Sequence, residues 1–190
     1  MPFLGDSGRN QPYLYMIFYS MLQAGRQKRN GGLKSARSGH DDDAIMDRIR
    51  HYCAYQERCS HDVEQKLHQW RVSPARSRKI QEQLAEEGYL ENERFARIFV
   101  RSKFHINRWG RMKIRYELRF RNIPENIVTK AMEEIGEDDY LKTLADLITK
   151  KKSEINSPHS LNVREKIITF VTGKGYEFDL ISKVLTDLNI

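Results

Sequence analysis

The chain has 190 residues, a net charge of +7 and a pI near 9.4. Its length and its apolar fraction of 39% predict a folded protein with a buried core. Two cysteines exclude a disulfide-dense secreted scaffold, and the absence of a run of about 18 apolar residues excludes an ordinary transmembrane helix. The basic excess favours a polyanionic partner.

Residues 1–42 differ from the rest of the chain. The stretch from Tyr13 to Leu22 is mostly apolar, and residues 23–39 are rich in Gly, Ser, Lys and Arg, which is typical of a flexible tail. The apolar stretch is too short to span a bilayer and has no clear signal-peptide cleavage site. We therefore predict a flexible extension over 1–42, with the folded part beginning near Asp43.

Helical periodicity dominates after that point. The first three predicted helices include one that begins with Pro74 at its first position and is ended by Gly88. Two further triplets of helices follow. Predicted inward residues of the later helices include Phe95, Phe99, Ser102, Ile106, Ile114, Leu118, Val128, Ile135, Leu144, Ile148, Ile167, Val171, Phe178, Ile181 and Leu185.

The three triplets repeat along the sequence. The motif that begins at Leu67 recurs at Leu118, 51 residues later, and again at Val171, a further 53 residues on. Such periods indicate a modular helical array. We predict an all-α fold, a tandem array of three three-helix repeats forming an elongated, curved protein. The predicted boundaries are 1–42 for the extension and 43–90, 91–136 and 137–190 for the repeats.

The basic excess lies in the second predicted repeat. Net charge is +3 over 1–42, zero over 43–90, +7 over 91–123 and −3 over 124–190. Between Arg94 and Arg121 there are ten Lys or Arg residues and one acid, Glu117. A solvated helix face ordinarily mixes both signs. We therefore interpret this segment as a surface that faces an anion.

Helical geometry places these basic residues on two stripes. The candidate binding residues are Arg94, Arg97, Arg101, Arg108, Arg111, Lys113, Arg115, Arg119 and Arg121. Guanidinium groups pair with two phosphate oxygens, although the same groups also suit acidic side chains of a protein partner. Tyr116 and Phe120 lie beside the second stripe. Two interpretations of them stay open, stacking on an unpaired base or packing between repeats.

Chemistry-bearing motifs are otherwise absent. Cys53 and Cys59 are separated by five residues, which is longer than the usual spacing of a zinc pair, and Cys53 lies on an apolar stripe. We predict buried, reduced thiols and neither a metal nor a cofactor. No phosphate-binding loop, zinc-protease motif or serine-hydrolase motif occurs. The sequence therefore predicts a non-enzymatic, cytoplasmic monomer without membrane contact.

Two segments resemble the RecX family of regulatory proteins. Residues 88–96, GYLENERFA, are similar to that family's junction between first and second repeats, and residues 110–118, GRMKIRYEL, resemble its Gly-xxx-Ile-xx-Glu-Leu helix. The resemblance extends over about residues 43–188. Asn122 departs from it, because the family often has Gly there. The extension and the acidic third repeat also lie outside the common pattern.

This resemblance implies a modulator of the RecA recombinase. Such a protein binds the RecA–single-stranded DNA filament and mostly inhibits recombinase, ATPase and co-protease activity, in DNA repair and SOS control. The implied partners are the RecA filament, single-stranded DNA and, more weakly, double-stranded DNA. One alternative is a helix-turn-helix-like transcription regulator, because short helix triplets also resemble such units. A helical scaffold with no nucleic-acid role is a further alternative.

Overall fold

The computed structural model of the protein describes residues 37–155 and 163–190, with side chains from Asp42 onward. Most of the predicted extension therefore lies outside the described residues, and the first helix begins at Arg37, before the predicted start. Throughout these ranges the regular structure is helical, which confirms the all-α fold. The helices are α1 (Arg37–Tyr55), α2 (Ser60–Gln69), α3 (Pro74–Glu86), α4 (Asn92–His105), α5 (Arg111–Phe120), α6 (Glu125–Met132), α7 (Glu137–Glu154), α8 (Val163–Lys174) and α9 (Phe178–Asp187).

Three of these helices end in the same left-handed turn. Arg71, Asn122 and Gly175 have φ values of 59°, 56° and 91°. In each turn the next residue is buried and its N–H donates to the carbonyl five residues earlier, as from Ile123 to Leu118 at 3.1 Å. The three turns recur at intervals of 51 and 53 residues, the same intervals that the sequence repeat predicted. Asn122 adopts the conformation that glycine more often supplies, so its departure from the family pattern leaves the turn intact.

The described chain divides into two compact units. The first contains residues 37–58 and 66–90, and the second contains residues 59–65, 91–155 and 163–190. The boundaries of the three predicted repeats stay a prediction. In the first unit the buried apolar residues come from α1, from α3, from the chain between them and from the residues just after α3: Met46, Ile49, Cys53, Leu67, Val72, Ile80, Leu84 and Leu90. As predicted, Pro74 opens α3, and Gly88 ends its turn with a φ of 77°.

A bidentate ion pair joins α1 to the end of α3 in the first unit. Arg50 Nε and Nη2 donate to the two carboxylate oxygens of Glu87 at 2.7 and 2.6 Å. These hydrogen bonds lower the pKa of Glu87. Both side chains are about one-third exposed, at 31% and 29%. The pair therefore contributes to stability only while Glu87 is ionised.

Glu87→Gln is expected to lower the free energy of unfolding by about 1 kcal/mol near neutral pH, because Arg50 loses its charged partner. The folded-state pKa of Glu87 lies below the unfolded value. The stabilisation is therefore present above the unfolded pKa and is lost as pH falls through the folded pKa. Urea unfolding at about pH 7 and about pH 3 measures this difference. Glu86→Gln, at an exposed neighbour, is the control, and an equal loss from both variants contradicts the prediction.

The second unit has one continuous hydrophobic core. Helices α4, α5 and α6 pack together, as do α7, α8 and α9. Buried residues from both triplets form this core, with Phe104, Tyr140 and Tyr176 among its largest fully buried side chains. Most predicted inward residues of α5 to α9 are buried as expected.

Two predicted inward positions are wrong. Ile106 and Phe178 are 76% and 62% exposed. Ile106 follows the last residue of α4, and Phe178 is the first residue of α9. The apolar spacing does not hold at these helix boundaries, where both side chains are exposed to solvent. Val100 and Phe104 occupy the inward face of α4 where the stripe had been placed on Ser102 and Ile106.

Candidate nucleic-acid interface

The predicted basic residues lie on α4, on α5 and on the two turns that follow these helices. Seven of the nine form ion pairs with carboxylates of the same chain. The shortest pairs are Arg94–Glu91 at 3.0 Å, Arg97–Glu93 at 2.9 Å, Arg101–Glu134 at 2.6 Å, Arg111–Glu137 at 2.8 Å, Arg115–Glu125 at 2.6 Å, Arg119–Glu125 at 2.8 Å and Arg121–Glu117 at 2.6 Å. The inference that this surface has almost no counter-charges is therefore wrong. Five of these six carboxylates lie outside the basic run. Glu91 and Glu93 are at the start of α4, and Glu125, Glu134 and Glu137 lie on α6, on α7 and in the turn between them.

Two pairs of arginines share one carboxylate each. Arg97 and Arg101 both contact Glu134, and we call these three residues the Glu134 group. Arg115 and Arg119 both donate to Glu125, and these three form the Glu125 group. Hydrogen bonds from the arginines lower the pKa of each shared carboxyl group.

In each group one arginine side chain is more than half exposed to solvent. The side chains of Arg101 and Arg119 are 57% and 59% exposed, whereas Glu134 is only 17% exposed. Ion pairs at this level of exposure contribute little to stability, because water screens them. The packed core therefore does not depend on these ion pairs.

The remaining candidate cations are held by contacts within the unit. Arg108 donates to the hydroxyl of Thr143 at 3.4 Å. Arg111 lies 4.1 Å from the ring centroid of Tyr140, Lys113 lies 4.6 Å from that of Trp109, and Arg121 lies 5.2 Å from that of Phe99. These cation–π contacts place the charged groups over aromatic faces. Trp109 is half-buried against the core.

An exposed apolar stripe runs along α5 beside the Glu125 group. Tyr116 and Phe120 are 67% and 63% exposed, and Met112, at the same helical spacing, is 59% exposed. The ring of Phe120 makes an edge contact with that of His61, with the ring centroids 5.9 Å apart. Base stacking by Tyr116 and Phe120 stays a prediction. Met112 is not among the residues predicted from the sequence, although its spacing of four residues from Tyr116 places it on the same face.

Close backbone contacts fix the start of α5. Gly110 N–H donates to the carbonyl of Lys174 at 2.9 Å, and Met112 N–H donates to that of Gly175 at 3.1 Å. The N–H of Arg111 donates to the hydroxyl of Tyr140 at 2.9 Å, and this hydroxyl in turn donates to Glu177 at 2.6 Å. The free N–H groups of the helix start are thus satisfied by the α7–α9 triplet. This junction positions the helix that carries the Glu125 group.

Tyr140→Phe is expected to lower the free energy of unfolding by about 2 kcal/mol, because two hydrogen-bonding groups lose their partner. Tyr176 is the matched control. It stacks on Tyr140 with ring centroids 4.9 Å apart, but its buried hydroxyl has no hydrogen-bond partner among the described atoms. Tyr176→Phe is therefore expected to be neutral or to stabilise by up to about 1 kcal/mol. Urea unfolding monitored by circular dichroism tests both, and equal losses contradict the prediction.

The two cysteines are buried and free, as predicted. Burial raises the pKa of Cys53 to about 12 and that of Cys59 to about 11, so both thiols stay protonated near neutral pH. Within the described ranges no group of three or more His, Cys, Asp or Glu residues is arranged to hold a metal ion. None of the helices there combines the length and apolar character needed to cross a bilayer.

The fold and the site together define a helical repeat protein with a basic central triplet. A family model described as "RecX, second three-helix domain" matches residues 92–132, which cover α4 to α6. The protein named "Regulatory protein RecX" from Bacillus cytotoxicus is 27% identical over 137 residues, covering 72% of this chain and 51% of the relative. Its namesake from Bacillus thuringiensis is 26% identical over the same shares. The chain therefore spans about half the length of the curated relatives it matches.

Solved structures agree on the fold. The crystal structure of RecX from Lactobacillus salivarius has a TM-score of 0.68 and 20% sequence identity, over 80% of this chain and 98% of that one. A second crystal structure, of a regulatory protein RecX, has a TM-score of 0.69 and 20% identity, over 87% of this chain and 86% of that one. Residues 92–132 thus match a RecX domain, and the chain is similar to RecX regulatory proteins in sequence and in fold.

Proposed function

We propose that this protein binds the RecA–single-stranded DNA filament and modulates it, mostly by inhibiting recombinase, ATPase and co-protease activity in DNA repair and SOS control. The observation that carries this proposal is the coincidence of two features. The segment that matches the second RecX domain, residues 92–132, also holds both shared-carboxylate groups of arginines. The protein would act by binding, as a cytoplasmic monomer, and without a catalytic step of its own.

The arginines of the Glu134 and Glu125 groups can exchange their carboxylate partners for phosphate groups. In the free protein each guanidinium pairs with a carboxylate, and in the complex phosphate oxygens would replace those carboxylates. The junction at Gly110 holds α5 in place, so this exchange requires rotation of side chains but no refolding of the helix. Binding by this route is expected to depend on salt and to be insensitive to base sequence.

The direct test is the ATPase rate of a cognate RecA on single-stranded DNA, with and without substoichiometric amounts of this protein. The expected result is a lower rate of hydrolysis, together with shorter filaments or slower filament growth in electron micrographs. An unchanged rate and an unchanged filament length would contradict the proposal.

A helix-turn-helix-like transcription regulator is the second candidate function. It is favoured by the three-helix character of the matched domain. This function requires base-reading contacts at one duplex site, and therefore a footprint at a defined sequence. The two functions are separated by titrating unrelated DNA sequences of equal length. Equal affinities that fall with salt favour filament binding, and one protected duplex site favours the regulator.

A further inference from the structure

The first unit has an open groove. None of its lining residues belongs to the Glu134 group or the Glu125 group. Its volume is about 520 Å³. We call it the aromatic groove, and it is lined by the side chains of Asp47, Arg48, His51, Tyr52, Tyr55, Lys66 and Trp70. The sequence alone does not indicate this groove, because the segment that contains it has no net charge and its tryptophan fits an apolar helical stripe.

Helical spacing brings the groove residues of α1 together. Arg48, Tyr52 and Tyr55 follow one another at intervals of four and three residues and therefore share a face of that helix. Trp70 comes from the turn directly after α2. The ring of Tyr55 is 83% exposed. A large aromatic side chain held at the mouth of a groove, with most of its surface in water, is available to a ligand.

The cations of the groove differ from those of the second unit. The guanidinium carbon of Arg48 lies 4.2 Å from the ring centroid of Trp70, and Lys66 Nζ lies 5.8 Å from the same centroid. Among the described residues neither cation forms an ion pair with a carboxylate. The acidic residue of the groove, Asp47, is paired with Arg50 at 3.2 Å. Two cations are thus held beside aromatic faces without a neutralising partner in this part of the chain.

We propose that the aromatic groove binds an unpaired nucleotide of a single-stranded nucleic acid. The base would stack on Tyr55 and on the planar guanidinium of Arg48, which itself lies over Trp70. The neighbouring phosphate would pair with Arg48 and Lys66. An acidic peptide would satisfy the cations but would leave the aromatic faces unused, so the combination favours a nucleotide. This inference deepens the proposed function and rests on it only in taking nucleic acid as the partner.

Tryptophan emission provides a local test, because the chain has two tryptophans, Trp70 and Trp109. In a Trp109→Phe variant the emission reports on the groove alone. Titration with an oligothymidylate of about 20 nucleotides is expected to quench it, because the base and its phosphate then bind the guanidinium group that lies over the indole. A blunt duplex of equal length is expected to quench it far less.

Two further variants test which groove residues contact the base and the phosphate. Tyr55→Ala, in the Trp109→Phe background, is expected to weaken oligothymidylate binding about tenfold, in keeping with the loss of one stacked base. Arg48→Ala is expected to reduce the slope of log affinity against log salt by about 0.7, as expected for one lost phosphate contact. Phe178→Ala is the matched control, because this ring is 62% exposed on α9, far along the chain from the groove residues. Far-UV circular dichroism establishes that each variant is folded.

Three results would overturn the inference. They are unchanged emission of Trp70 with oligothymidylate, equal effects of Tyr55→Ala and Phe178→Ala, and quenching by poly-glutamate but not by oligothymidylate. The RecA ATPase assay on the same preparations keeps the two proposals apart. Inhibition of RecA without a change in Trp70 emission would contradict nucleotide binding in the aromatic groove but would support the proposed function. A change in Trp70 emission without any effect on RecA would support nucleotide binding in the aromatic groove and would contradict the proposed function.

Discussion

Gly110→Ala is expected to lower the free energy of unfolding by about 3 kcal/mol, because the added methyl group has no space and no neighbour that can move aside. A Cβ atom at this position would lie 2.2 Å from the carbonyl oxygen of Gly175 and 2.5 Å from the backbone nitrogen of Tyr176. Both atoms belong to the backbone of the turn that accepts hydrogen bonds from the start of α5. Relief of the overlap would separate α5 from this turn and break those bonds.

The matched control is Gly173→Ala, a few residues from the same contact. Nothing lies within 4 Å of a Cβ at Gly173, which is inside helix α8. Alanine there is expected to raise the free energy of unfolding by about 0.5–1 kcal/mol through its helix propensity. Urea unfolding of both variants tests the pair of predictions. If Gly110→Ala proves as stable as the wild-type protein, the close approach of the two turns is contradicted.

Gly110→Ala also tests how the fold supports the proposed function. The junction orients α5, and this helix carries the Glu125 group. If the arginines act as an ordered set, loosening the start of the helix weakens binding of single-stranded DNA as well as stability. If each arginine acts independently as a point charge, stability falls and DNA binding is retained. The two measurements together therefore show whether the arrangement of the charges matters in addition to their number.

The architecture was predictable because local signals agree with the packing. Apolar residues at helical spacing located the core, and Pro74 and Gly88 located the start and the end of α3. The recurrence of Leu67 at Leu118 predicted turns that have the same backbone conformation. Periodicity failed where it was carried past a helix boundary, as at Ile106. The spacing of apolar residues does not report where a turn redirects the chain.

The electrostatics of the site were not predictable, because they depend on contacts between residues that are distant in sequence. The sequence located the arginines on α4 and α5 but gave no indication that Glu134 and Glu137 would pair with them from later segments. A charge sum over a segment counts only neighbours along the chain. Conversely, the neutral sum over the first repeat concealed Arg48 and Lys66, which lie over aromatic rings instead of pairing with acids among the described residues. Three-dimensional neighbours decide which charges are available to a ligand.

Replacing Arg97, Arg101, Arg111 and Arg115 together by alanine is expected to weaken binding of single-stranded DNA about 100-fold at low salt. Four lost phosphate contacts would also reduce the slope of log affinity against log salt by about 3. All four side chains are at least partly exposed, so the fold is expected to persist. Fluorescence anisotropy of a labelled oligonucleotide measures the loss across a series of salt concentrations. Full retention of binding to both DNA and RecA would favour the scaffold alternative.

Glu125→Gln is expected to have the opposite effect, and this reversal distinguishes an exchange of partners from simple charge attraction. The variant keeps the shape of the side chain but removes the negative charge that Arg115 and Arg119 share. Phosphate then no longer competes with a carboxylate, and affinity at low salt is expected to rise about three- to tenfold. Glu133→Gln makes the same change in net charge at an exposed residue that has no ion pair in the described part of the chain. If both variants tighten binding equally, net charge alone explains the gain, and the Glu125 group is not where phosphate binds.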